Sequence, residues 1–170
     1  CRAFAEMYRN NRSEFPPECD SLDYERKLKE AYPIHPELFD RLYQDWSTLE
    51  RFQRTRGVLK LMASVIHELW DNSDKSLLIM PGTLPLNSEV VRAKITSNLP
   101  DGWSPIMDAD VDGASSKPFS IDQEKANLGR YSACRRVART VFMGSAPSVA
   151  AQKVRGLEEV RIKLGCVQPG

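Results

Sequence analysis

Apolar residues recur at helical spacing along most of the chain. Ala3, Phe4, Met7 and Tyr8 share one face of a first helix. Leu22 to Tyr32 carries Tyr24, Leu28 and Tyr32 at the same spacing, and Pro33 stops it. Ile34-His35-Pro36 opens another helix, because proline suits a first helical position, and Leu38, Phe39, Leu42, Tyr43 and Trp46 form its apolar stripe. The strongest pattern is the next one. Val58, Leu61, Met62, Val65, Ile66 and Leu69 are spaced to bury one face of a long helix.

Beyond Asp71-Asn-Ser-Asp74 the texture changes. Leu77-Leu-Ile-Met80, closed by Pro81-Gly82, reads as a short buried strand and turn. Asn87 or Ser88 can cap a helix through Leu99, with Val91, Ile95 and Leu99 inward. Residues 100–128 are rich in Pro, Gly, Ser and Asp and predict a long ordered loop. A helix with Ala133, Val137, Ala138, Val141 and Phe142 apolar follows, then Gly144-Ser-Ala-Pro147 and a last helical stretch through Leu164. The chain begins at Cys1 inside a helical pattern and stops at Gln-Pro-Gly170 without a closing element, which predicts a piece of a longer protein.

Charge narrows the partners. Lysine and arginine number 24 against 23 aspartates and glutamates, a net charge of +1, so binding to an anionic surface has to come from a local patch. No apolar run is long enough to span a bilayer, and Cys1 to Asn11 lacks the apolar centre of a signal peptide, which predicts a cytoplasmic protein without a membrane partner. Cys1, Cys19, Cys134 and Cys166 make neither a C-x-x-C pair nor a zinc spacing with histidine, and read as reduced intracellular thiols.

Two arginine groups are candidates for chemistry. Arg54, Arg56 and Gly57 stand at the start of the long helix, and counting from Arg56 in steps of three and four gives Lys60, Ser64, His67 and Asp71, opposite the Val58-Leu61-Val65 face. One reading is a solvated helix face. The other is an arginine held on a helical element and aimed at a phosphate on a neighbouring domain, a task suited to a permanently charged, forked donor. Arg135, Arg136 and Arg139, with Arg130 ahead of them, give a second basic stripe. It fits surface ion pairs, phosphate contacts to nucleic acid, or an arginine reaching a neighbouring subunit's nucleotide. No aromatic residues interleave with these arginines as a stacking platform for single strands needs.

Other motifs are weaker. Asp108-Ala-Asp110-Val-Asp112-Gly113 begins like a calcium loop, but the twelfth position is Phe119 where a bidentate glutamate belongs, so a turn-forming acidic loop with no metal is expected. His35 and His67 have no nucleophile or acidic partner at a catalytic spacing and read as structural or solvent-facing. No G-x-x-x-x-G-K-[ST] occurs, and no β-rich run ends in paired acids.

Residues 32–70, together with Leu-Leu-Ile-Met-Pro-Gly-Thr-Leu-Pro-Leu86, Asp110-Val-Asp-Gly113, the segment 129–147 and the segment 155–170, resemble the prokaryotic domain-of-unknown-function family 499, predicted AAA+ ATPases. The resemblance implies a P-loop domain ahead of this region and gene neighbourhoods tied to phage defence, beside methyltransferases and helicases. It also implies ATP and magnesium bound by the parent protein, with none held by this fragment alone. Thr55-Arg56-Gly57 is similar to the AAA+ lid-helix motif whose arginine senses the γ-phosphate, which makes Arg56 the first candidate and Arg54 the second.

The expected fold is mainly α with a small β element: an AAA+ lid-like helical part over 1–72 and a mixed α/β part over 73–170. The expected function is nucleotide sensing and coupling within a larger P-loop ATPase. The alternative is a module that docks on DNA or a partner protein, such as a defence-system component, through the Arg135 stripe.

Overall fold

The computed structural model describes residues 1–150 and 156–170, with nothing described of the Ala150 side chain; the part of the expected last helix that falls on 151–155 lies outside the described residues. The chain is mainly helical: α1 Arg2–Asn10, α2 Leu22–Ala31, α3 Pro36–Asp40, α4 Arg54–Asp71, α5 Glu89–Thr96, α6 Trp103–Ile106, α7 Lys117–Glu124, α8 Ala126–Gly129, α9 Ala133–Ala150 and α10 Glu159–Cys166. Local chemistry sets several of these starts. The Ser21 hydroxyl accepts from the Tyr24 N–H at 3.1 Å, and Asp23 and Glu25 put negative charge at the positive end of α2. Pro36 opens α3, where Nδ1 of His35 accepts from the Glu37 N–H at 3.1 Å. From Asp40 the chain winds on through a wider π turn, Arg41–Asp45, and a tighter 3₁₀ turn, Trp46–Thr48.

The segment 77–80 does not form a strand. Its one pairing is a parallel bridge between Ile79 and Ile34, in which the His35 N–H donates to the Ile79 carbonyl and the Ile79 N–H to the Pro33 carbonyl, both at 2.9 Å. A short apolar run has no ladder to join when no second extended segment lies beside it. Among the described residues the mixed α/β expectation gives way to helices, turns and that single bridge. Nor is 100–128 a long loop, for α6, a π turn over Met107–Val111, α7 and α8 all fall within it. The Ser and Pro residues that suggested a loop serve there as start signals: Ser116 caps α7 by accepting from the Phe119 N–H, and Pro118 sits in its first turn.

Two apolar clusters hold the helices. The larger gathers Leu38, Leu42 and Trp46 with Val58, Leu61, Met62 and Val65 of α4, Val91 and Ile95 of α5, and Phe142, Met143 and Ala146 of α9. The smaller joins Phe4 and Tyr8 of α1, Tyr24 and Leu28 of α2, Leu78, Met80 and Leu164 of α10. Both draw on residues from either side of position 72. Where the periodicity put Tyr32, Tyr43, Ile66 and Val137 on apolar stripes, all four are exposed.

Pro147 lies inside α9 rather than ending it. A proline has no N–H for the carbonyl four residues back, which here is Met143. Trp46 fills the gap, because its indole N–H donates to the Met143 carbonyl at 2.9 Å in the middle of the larger cluster. Among the described residues no helix is long and apolar enough to cross a membrane.

Candidate functional site

The start of α4 is unusual backbone. Gln53 and Arg54 both have positive φ, 58° and 47°, a region that non-glycine residues enter at a cost of about 1 kcal/mol or more. The bend lays the Phe52 carbonyl against the first turn of α4, where a Cβ on Gly57 would come within 1.6 Å of that oxygen. Gly57 is thus required by the bend itself. No side chain caps this helix, and no acid occupies its first turn. Arg54 and Arg56 are exposed, and the side chain of neither has an ion pair or hydrogen bond among the described residues.

Lys60, His67 and Asp71 are exposed as well, and His67 has the partner that sequence spacing did not credit to it, with Nδ1 3.3 Å from the Asp71 carboxylate. More informative is the face beside that stripe. Leu59, Ala63, Ile66 and Trp70 follow Arg56 in steps of three and four, and all are exposed, Leu59 at 65%, Ile66 at 45% and Trp70 at 83%. α4 therefore carries one apolar face in the core and a second, uncovered one with Arg56 at its end.

The second arginine group is largely consumed by the fold. Asp112, buried after the π turn, accepts from Nε of Arg135 at 2.7 Å and from Nε of Arg139 at 2.8 Å; a terminal nitrogen of Arg139 lies 2.7 Å from the same carboxylate. Arg139 also donates to the Gly82 carbonyl at 3.4 Å, and Arg136 to the Cys166 carbonyl at 3.4 Å. Arg135 stacks over Phe119 and Arg130 over Tyr131. Burial pushes the pKa of Arg139 down, and the Asp112 carboxylate beside it favours the charged form. The Asp122 carboxylate adds an N-terminal cap for α9, accepting from the N–H groups of Cys134 at 3.0 Å and Arg135 at 3.2 Å. The stripe that sequence offered to nucleic acid or a neighbouring subunit is a brace tying α9 to the α6–α7 region and the Pro81 turn.

The acidic run is dispersed in the same way. Asp108 pairs with Arg92, Asp110 with Lys117 at 3.4 Å, and Asp112 with Arg135 and Arg139. Gly113 is needed because a Cβ there would lie 2.2 Å from the Asp108 carbonyl. Among the described residues, no group of three or more His, Cys, Asp or Glu side chains is placed to hold a metal.

His35 is fully buried. Nδ1 accepts from a backbone N–H, so the proton sits on Nε2, which donates to the Tyr8 hydroxyl at 2.8 Å. Burial lowers its pKa to about 3. Glu37, next to it and also buried, has its carboxyl pKa raised by burial despite Arg41 and Arg161 nearby. The four cysteines are unpaired, and burial raises the Cys19 thiol to about 12 and the Cys166 thiol to about 11.

These features define a mainly helical domain in which one long helix ends in uncompensated positive charge and an uncovered apolar face. Residues 10–157 match the family model described as DUF499 second domain, and the chain belongs to the DUF499 family. No curated protein and no solved structure matches the chain.

Proposed function

We propose that this domain senses nucleotide and couples domain movement within a larger P-loop ATPase, with Arg56 as the residue that meets the phosphate. The observation that carries the reading is the second face of α4. A neighbouring domain that covered Leu59, Ala63, Ile66 and Trp70 would meet Arg56 at the end of the same seam, free of any competing carboxylate. The family description, a second domain, supports a further domain in the same protein. ATP and magnesium would be held by that P-loop domain, and hydrolysis would change the contacts Arg56 makes and shift a two-state arrangement. Roles in phage defence and partners among defence proteins belong to the same proposal. The alternative, docking on DNA or protein through Arg135, Arg136 and Arg139, is the second reading, because Asp112 engages Arg135 and Arg139 and a backbone carbonyl engages Arg136.

The experiment is steady-state ATP hydrolysis by the full protein and its Arg56→Ala and Arg54→Ala variants, alongside thermal melts. Arg56→Ala should leave the melt nearly unchanged, since an exposed substitution shifts stability by about 0.5 kcal/mol or less. Turnover should fall on the order of a thousandfold, as when a guanidinium that stabilises a transferring phosphoryl group is removed. Nucleotide affinity should fall less than turnover. Wild-type turnover with an intact melt refutes the assignment.

A further inference from the structure

Many of the described cations are neutralised in place. Arg2, Arg9, Arg12, Arg26, Arg41, Arg92, Arg161 and Lys163 all pair with carboxylates, as do the two arginines on Asp112. Of the described cations without an ion pair, Lys27, Lys75, Lys125, Arg130 and Arg136 are scattered, whereas Arg51, Arg54, Arg56, Lys60 and Lys94 gather in one place. Arg51, Lys60 and Lys94, from the turn before α4, from α4 and from α5, line a groove of about 450 Å³ together with Gly57, Ser97 and Asn98. All three cations are exposed and without ion pairs among the described residues, and Arg54 and Arg56 stand on the adjoining turn in the same condition. No carboxylate lines this groove. Glu50, next in sequence to Arg51, is exposed and forms no ion pair with any of them. A second hollow of about 280 Å³ continues the first, sharing Arg51 and Ser97 with it, and is walled by Pro100, Asp101 and Trp103. Trp103 is half-buried, one side of its ring packed against Phe142.

We propose that this double groove binds single-stranded nucleic acid, with Arg51, Lys60 and Lys94 on successive phosphates and the open part of Trp103 against a base. Like charges from three separate elements around one hollow make a local positive potential, which favours an anion that carries several charges. The groove has no carboxylate pair to carry magnesium, which a free nucleoside triphosphate would bring with it. Long cations along an open channel suit the regular charges of a phosphodiester chain. A recessed indole reaches only a base that has left its stack, which favours a single strand over a duplex. The inference is independent of the nucleotide reading of Arg56.

The test is fluorescence anisotropy of the full protein with a labelled oligothymidylate. Three phosphate contacts predict a log–log salt slope of about −2, at roughly −0.7 per contact for a single strand. Lys60→Glu with Lys94→Glu should weaken binding at least about tenfold and flatten the slope, with the thermal melt unchanged. Lys27→Glu with Lys125→Glu, which changes net charge equally at two other exposed, unpaired lysines, should leave affinity within about twofold. Photocrosslinking with a bromodeoxyuridine oligonucleotide should label the peptide containing Trp103. The proposal is overturned by absence of binding, by equal loss in the two charge-reversal pairs, by a duplex that competes as well as the single strand, or by crosslinks found only elsewhere.

Discussion

Replacing Trp46 by phenylalanine isolates one hydrogen bond and its reason. The indole is fully buried between Phe52 and Phe142, with ring centres 6.1 and 5.8 Å away, so a phenyl ring keeps most of the packing. What it loses is the donor to the Met143 carbonyl, which Pro147 has left without its helical partner. An unsatisfied buried carbonyl costs about 1–3 kcal/mol, and the void left by the smaller ring adds roughly 1 kcal/mol at the usual cost per unit of cavity volume. Trp46→Phe should therefore cost roughly 2–4 kcal/mol. Pro147→Ala restores an N–H aimed at the same carbonyl, whatever its own cost, so in that background only the void should remain, roughly 1 kcal/mol. The assay is urea unfolding of the four proteins of the double-mutant cycle, followed by circular dichroism. Additivity to within about 0.5 kcal/mol would refute the claim that Trp46 and Pro147 act through one carbonyl.

The buried ion triad gives a second outcome: Asp112→Ala should cost about 3–5 kcal/mol in urea unfolding, because it leaves Arg135 and Arg139 without their anion, and Arg139→Met beside it should recover part of the loss. A full-cost Asp112→Ala that Arg139→Met leaves unchanged would contradict this. For His35 the folded pKa of about 3 lies below the unfolded value, so the unfolded chain binds more protons as pH falls; the stabilisation is complete above about 6.5 and drains away toward 3, reaching about 2 kcal/mol lost at pH 5. Glu37, whose carboxyl pKa is raised, opposes this at the low end of the window, and His35→Asn, which keeps an acceptor for the Glu37 N–H, should abolish the change between pH 7 and 5 in unfolding experiments. An unchanged pH slope in that variant would show that other groups set it.

The helical class and the existence of α4 were legible because a buried face repeated over many turns leaves a strong period. The period did not say how much apolar surface the core would accept. Ile66 fits the inward pattern and is exposed, since α4 carries more apolar residues than its neighbours cover. The helices between 103 and 129 escaped notice because elements of one or two turns consist mainly of their caps, and caps are made of the same Ser, Pro and Gly as loops. Spacing displayed the Arg135 stripe but could not locate its counterion, which sits more than twenty residues away at Asp112. The groove was illegible for a related reason: Lys60, Lys94 and Arg51 look unremarkable one at a time, and only the packing of α4 against α5 sets them around one hollow.

The two 18-residue helices, α4 and α9, resolve the same physical problem in opposite ways. A helix start presents free N–H groups and partial positive charge, which an anion stabilises. At α9 the fold brings the Asp122 carboxylate to the first amides and sets Asp112 beside the arginines that follow, so positive charge there is cancelled within the domain. Both starts follow left-handed backbone, at Ser132 before α9 and at Gln53 and Arg54 for α4, but at α4 no side chain caps the helix, and Arg51, Arg54, Arg56 and Lys60 add charge of the same sign. The bend seats Phe52 in the larger cluster against Trp46, but among the described residues no carboxylate offsets the charge at this helix start. Positive charge left uncancelled at one helix start and cancelled at the other is what the proposed anion site would require.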